Sequence, residues 1–187
     1  PTGAEPVNTL SASGSYSGKI RHMKIASGYT TAVFYGDFLK PVAAGTVEKD
    51  SGTATLTPIG VFVGCSYTDP STNQLTFNQQ WPASTVASDA VAYVVDDPDV
   101  VMLMQSDEAI AQTGLFNNVD VVQTAGSTAI GRSKNALNGG NIATTNTFPL
   151  RIVEFVDGPT STVGDAYTDC LVSFVPTMHR YRNILGT

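Results

Sequence analysis

The chain has 187 residues, 42% of them hydrophobic, enough for one substantial core or for two small lobes sharing an interface. Its net charge of -6 and pI near 4.6 argue against a phosphate backbone as partner, because such binding needs clustered Lys and Arg to release counterions. Only 14% of residues are charged, and a remainder rich in Thr, Ser, Asn, Gly and Ala leans towards β-rich assembly and surface proteins.

The chain opens Pro1-Thr2-Gly3-Ala4-Glu5 with no basic patch before an apolar run, so no secretory signal is expected. Its longest apolar stretches, Val91 to Val95 and Val100 to Met104, fall far short of the about 20 residues that span a bilayer. A soluble protein without a membrane partner is expected.

Residues 1–18 hold Pro1, Gly3, Pro6, Gly14 and Gly18 among Ser and Thr, with Val7, Leu10 and Tyr16 as the sizeable apolar groups. They read as an extended arm ahead of an all-β core at 19–187. Strands are expected at Ile20 to Ile25, at Thr30 to Tyr35 and, after the turn Gly36-Asp37, at Phe38 to Lys40, where Pro41 stops the unit.

The pattern resumes with Thr53 to Thr57, rich in β-branched residues, and Ile59 to Tyr67, where Gly60 and Gly64 suggest bulges or close backbone approach. Turn formers from Thr68 to Asn73 separate that strand from Gln74 to Trp81, as in a hairpin. Ala90 to Val95 is nearly all apolar, as in a strand covered on both faces, and Asp96-Asp97-Pro98-Asp99 breaks it before Val100 to Gln105.

Ser106 to Thr113 is the one plausible helix, short and stopped by Gly114. Asn117 to Gln123, Leu150 to Val156 and Asp169 to Val175 are further strands, and Gly126 to Ile142 reads as loop. Strands at this density, without a fixed repeat, indicate an all-β barrel or sandwich.

The residues suggest little chemistry. Asp96, Asp97 and Asp99 supply too few oxygens for calcium without distant help and read as a strand-ending turn. His22 and His179 belong to no metal motif. Gly64-Cys65-Ser66 and Gly131-Arg132-Ser133 do not form a nucleophile elbow, and Gly139-Gly140 lacks the Lys and Thr of a phosphate loop. No catalytic residue, metal ligand or cofactor is assigned. Cys65 and Cys170 read as buried, reduced thiols in strands, and Trp81 as a core tryptophan. Lys19, Arg21 and Lys24, with Arg180 and Arg182 near the end, read as solvated positions or as contacts to an acidic partner surface.

Several segments, in order, resemble small head proteins of tailed phages, especially of cyanobacterial and marine phages, known as capsid decoration or cement proteins. They are Tyr35 to Lys40, Ile59 to Tyr67, Ala92 to Val100 with Gln105 behind, Phe148 to Val153, and Val172 to His179. The turn Gly36-Asp37 with Ile59 to Gly64 also looks like the β-tulip unit of lambda-type head-stabilising proteins.

The resemblance implies a non-enzymatic virion protein assembled in the bacterial cytoplasm. It implies binding to the outer surface of the shell, with the major capsid protein and its own copies in a homotrimer as partners. An arm carrying Val7, Leu10 and Tyr16, with Lys19, Arg21 and Lys24 behind it, suits contact with the capsid or a neighbouring subunit, because it can add a strand to a sheet edge. The competing reading is a phage tail or receptor-binding β module, or a carbohydrate-binding one presenting Tyr29, Tyr35, Tyr67 and Trp81 on one face.

Overall fold

Alternation of side chains across a strand sorts this chain's apolar residues onto two cores instead of one. In the computed structural model, which describes residues 1–11, 17–184 and 186, every strand pair within the sheets is antiparallel.

The strands, in chain order, are β1 (Glu5–Thr9), β2 (Arg21–Lys24), β3 (Val33–Phe34), β4 (Phe38–Pro41), β5 (Val47–Lys49), β6 (Gly60–Thr68) and β7 (Leu75–Asn78). There follow β8 (Gln80–Trp81), β9 (Val91–Val95), β10 (Val100–Gln105), β11 (Asn118–Val122), β12 (Ala136–Ala143), β13 (Leu150–Phe155) and β14 (Asp169–Phe174). One sheet has the order β1-β10-β14-β13-β11-β12. The other runs β2-β9-β6-β4-β5, with β7 also paired to β6, and β3 and β8 form a small separate ribbon. The sheets do not close into a barrel, and the fold is a β sandwich.

The two sheets bury a shared core in which Phe38, Val61 and Val95 of the second sheet meet Met102, Met104, Val119, Ile152 and Val172 of the first. On its opposite face the second sheet buries Leu39, Phe62, Cys65, Ala92 and Val94 against Val33 and Trp81 of the ribbon. This is why β9 is almost wholly apolar: Ala92 and Val94 serve one core and Val95 the other. Trp81 is fully buried, stands edge-on to Tyr67 at 5.4 Å, and donates its indole hydrogen to the Tyr29 carbonyl.

The expected close approach at Gly60 is real, since a Cβ there would sit 2.3 Å from the Val95 carbonyl oxygen. Gly64, at φ +146, occupies the expected bulge, where the β6–β9 register slips between Phe62 and Gly64.

Four expectations are corrected. The segment expected as an arm is in part built into the core: Ala4 is buried among its residues, and Glu5–Thr9 pairs with β10 as the edge of the first sheet. Thr53 to Thr57 is not a strand. The Asp50 carboxylate accepts from the N–H groups of Gly52 and Thr57, Gln123 Nε2 donates to the Asp50 and Gly52 carbonyls, and the curled segment pushes Leu56 into the core.

Ser106 to Thr113 is not a helix either, with one 3-10 turn at Gln112–Gly114. Its polar groups are drawn to a local turn and to other elements: Ser106 Oγ donates towards the carbonyl of Glu108 within the segment and that of Thr168 outside it, Asp107 N–H to the Leu137 carbonyl, and Ile110 N–H to Thr168 Oγ1. The loop expected over Gly126 to Ile142 contains β12, whose Gly139 lets the strand pass Glu108, where a Cβ would lie 2.9 Å from that residue's carbonyl oxygen.

Candidate interaction surface

The turn Asp96-Asp97-Pro98-Asp99 carries the chain from β9 in one sheet to β10 in the other, and both ends of the molecule converge on it. From the N-terminal side, Leu10 N–H donates to the Asp99 carbonyl at 2.8 Å, and Thr9 Oγ1 to the same oxygen at 3.2 Å. Arg21, on the edge strand β2, bonds its Nε to Asp96 Oδ2. From the C-terminal side, Tyr181 Oη donates to Asp96 Oδ2 at 2.6 Å, and Arg182 Nη2 lies 2.7 Å from Asp99. The Arg21 guanidinium rests 5.9 Å from the Tyr181 ring centroid.

Asp96 is buried, so its charge needs these partners. Burial, and after it the neighbouring Asp96, push the Tyr181 hydroxyl up to about 12, which keeps it protonated as a donor. The hydrogen bond to Asp96, ahead of its charge, raises the Arg21 pKa.

Beside this junction lies a cleft of about 280 Å³ whose lining includes Leu10, Pro98, Phe116 and Phe174, with Arg151 and Arg182. Phe116 is 70% exposed and adopts φ +66, a backbone region that costs a bulky residue about 1–3 kcal/mol and tends to mark functional positions. Its N–H is held by the Ile152 carbonyl. Arg151 Nε donates to the neutral Asn118 side chain at 2.9 Å.

The residues expected to make contacts are dispersed. Val7 and Leu10 are exposed, and of the residues expected to make contacts only Leu10 and Arg182 line the cleft. Tyr16 lies outside the described residues. Lys19 and Lys24 are exposed, but Arg21 and Lys24 stand three apart on β2 and so project to opposite faces. They do not form one basic patch, and Arg21 is engaged within the molecule. Arg180 is too, through Nε to the Thr57 carbonyl. Phe116, Arg151 and Tyr181 were not legible as a group, because they come from three unrelated stretches of chain.

Both thiols and the His179 ring are uncharged at neutral pH. Burial pushes both free thiols, Cys65 and Cys170, up to about 12, so neither is a thiolate. His179 is wholly buried, its Nδ1 accepts from Tyr181 N–H, and burial lowers its pKa to about 4, with the Ile59 backbone opposing the shift. Among the described residues no group of three or more His, Cys, Asp or Glu is placed to hold a metal ion. Tyr67 and Trp81 are core residues, so the four aromatics that would make a sugar-stacking face do not lie on one exposed surface. No family model, curated protein or solved structure matches this chain.

Proposed function

We propose that this chain is a non-enzymatic structural protein of a tailed-phage head that binds the outer capsid surface and cements contacts between capsomers, with the major capsid protein as its partner. The order of segments that resembles decoration proteins supports this reading. The observation that carries it is the cleft beside the β9–β10 turn, where an exposed, strained Phe116 and Leu10 stand next to Arg151 on an otherwise acidic molecule. An aromatic anchor with an arginine beside it is the composition of a protein contact site.

The test is cosedimentation of the purified chain with phage heads lacking it, followed by electron microscopy of the loaded particles. Density on the outer shell, and binding weakened by F116A and by R151E, are the expected results. A chain that stays in the supernatant, or that localises to the tail, overturns the reading.

A further inference from the structure

The stretch from Pro70 to Ser88 contains no Asp, Glu, Lys, Arg or His, although the chain as a whole carries a net charge of -6. Strand β7 lies in this stretch and pairs with β6 alone, so its other edge is open among the described residues. Natural edge strands are usually guarded by charge, proline or a covering element, and β7, reading Leu-Thr-Phe-Asn, has no charge or proline. Leu75 and Phe77 are 61% and 69% exposed and stand two apart, on one face.

The hydrogen-bond register sharpens this. Asp69 N–H donates to the Gln74 carbonyl, and from that pair the ladder runs Thr68↔Leu75, Tyr67↔Thr76, Ser66↔Phe77 and Cys65↔Asn78. Bonded and non-bonded pairs alternate along an antiparallel ladder. Thr76 and Asn78 therefore turn their backbone N–H and C=O towards β6, and Leu75 and Phe77 turn theirs to the open edge.

We infer that β7 is a contact between two copies of this chain, which join edge to edge by antiparallel pairing about a two-fold axis at Thr76. In that register Leu75 of one copy opposes Phe77 of the other, and the reverse. The four outward backbone groups of each copy find partners, and the four apolar side chains meet on one face. Gln74 faces Asn78 across the axis, so amides oppose amides and no like charges are brought together.

The occupant is a second copy because the register is self-complementary: Leu75 and Phe77 supply both sides of the ladder, and no residue from Pro70 to Ser88 sets a carboxylate against its own copy. Such an interface is isologous and closes at two copies, joining the two second sheets into one continuous sheet as in strand addition. It differs from the three-fold unit implied by the phage resemblance, and it holds whether or not the chain sits on a shell.

The test is the mass of the full chain by light scattering across a concentration series, with two variants. F77P removes an N–H at the open edge while leaving the β6 ladder intact, and should raise the dissociation constant by about tenfold or more with unchanged circular dichroism. T76C places two thiols at a non-bonded pair, where Cα atoms lie about 4.5 Å apart, within reach of a disulfide. It should give a covalent dimer under mild oxidation while T72C, in the loop, does not; the native cysteines are buried and do not compete. A wild-type mass of twice 19.6 kDa, lowered by F77P, is the expected result. A single-chain mass at the highest concentration, a three-chain mass unaffected by F77P, or T76C cross-linking no better than T72C overturns the proposal.

Discussion

Tyr181 donates its hydroxyl hydrogen to Asp96 at 2.6 Å, and through that bond the end of the chain is fastened to the turn that joins its two sheets. Arg21 bonds the same carboxylate from the N-terminal side, so one buried acid holds segments from both ends of the sequence. Y181F removes one donor and should lower stability by about 1 kcal/mol. D96A, which releases both segments, should cost more. Urea unfolding midpoints of the two variants check the order, and equal midpoints would show that the tail is not fastened there.

Among the described residues, Asp37 holds the deepest charge pair. It is 0% exposed, and Lys49 Nζ lies 2.9 Å from its Oδ2, which also accepts from Phe34 N–H. Ser133 Oγ and Asn135 Nδ2 donate to its Oδ1 at 2.6 and 3.2 Å. Removing one partner of a buried pair leaves the other uncompensated, which typically costs about 3–5 kcal/mol. D37A is therefore expected to cost about 3 kcal/mol or more, whereas K40A, on a half-buried position of β4, should stay within about 0.5 kcal/mol. Chemical denaturation of the pair of variants distinguishes them.

His179 makes stability depend on pH. Its folded-state pKa, lowered by burial to about 4, lies below the ordinary 6.5, so between those values the unfolded chain binds the extra proton. The contribution is fully present above about pH 6.5 and is lost as pH falls towards 4, a change on the order of 3 kcal/mol. Thermal melts from pH 7 to pH 4 should show a slope that is shallower in H179Q. An identical slope in the variant would assign the acid sensitivity to the carboxylates.

The N-terminal segment should be needed for the fold. Deleting residues 1–11 removes Ala4 from the core and uncovers the edge of the apolar strand β10. We expect a loss of more than about 2 kcal/mol and aggregation of the truncated chain, measured by denaturation and light scattering. A truncated chain as stable and soluble as the full one would make β1 dispensable.

How much was legible in the sequence follows physical lines. Strands with an unambiguous pattern, such as Val91–Val95, Val100–Gln105 and Asp169–Phe174, were readable because side-chain alternation and breakers are local properties. The all-β class, the buried Trp81 and thiols, the bulge at Gly64 and the close approach at Gly60 were readable for the same reason. What only the tertiary structure decided were features set by partners far along the chain. Glu5–Thr9 reads as a loose arm until β10 offers it a ladder, and Thr53 to Thr57 reads as a strand until Asp50 and Gln123 curl it. Asp37 reads as a turn residue until Lys49, Ser133 and Asn135 surround it. Local pattern fixes which face of a segment is apolar, but the partner that satisfies its hydrogen bonds is chosen by topology, and a single sequence does not carry that choice in any one stretch.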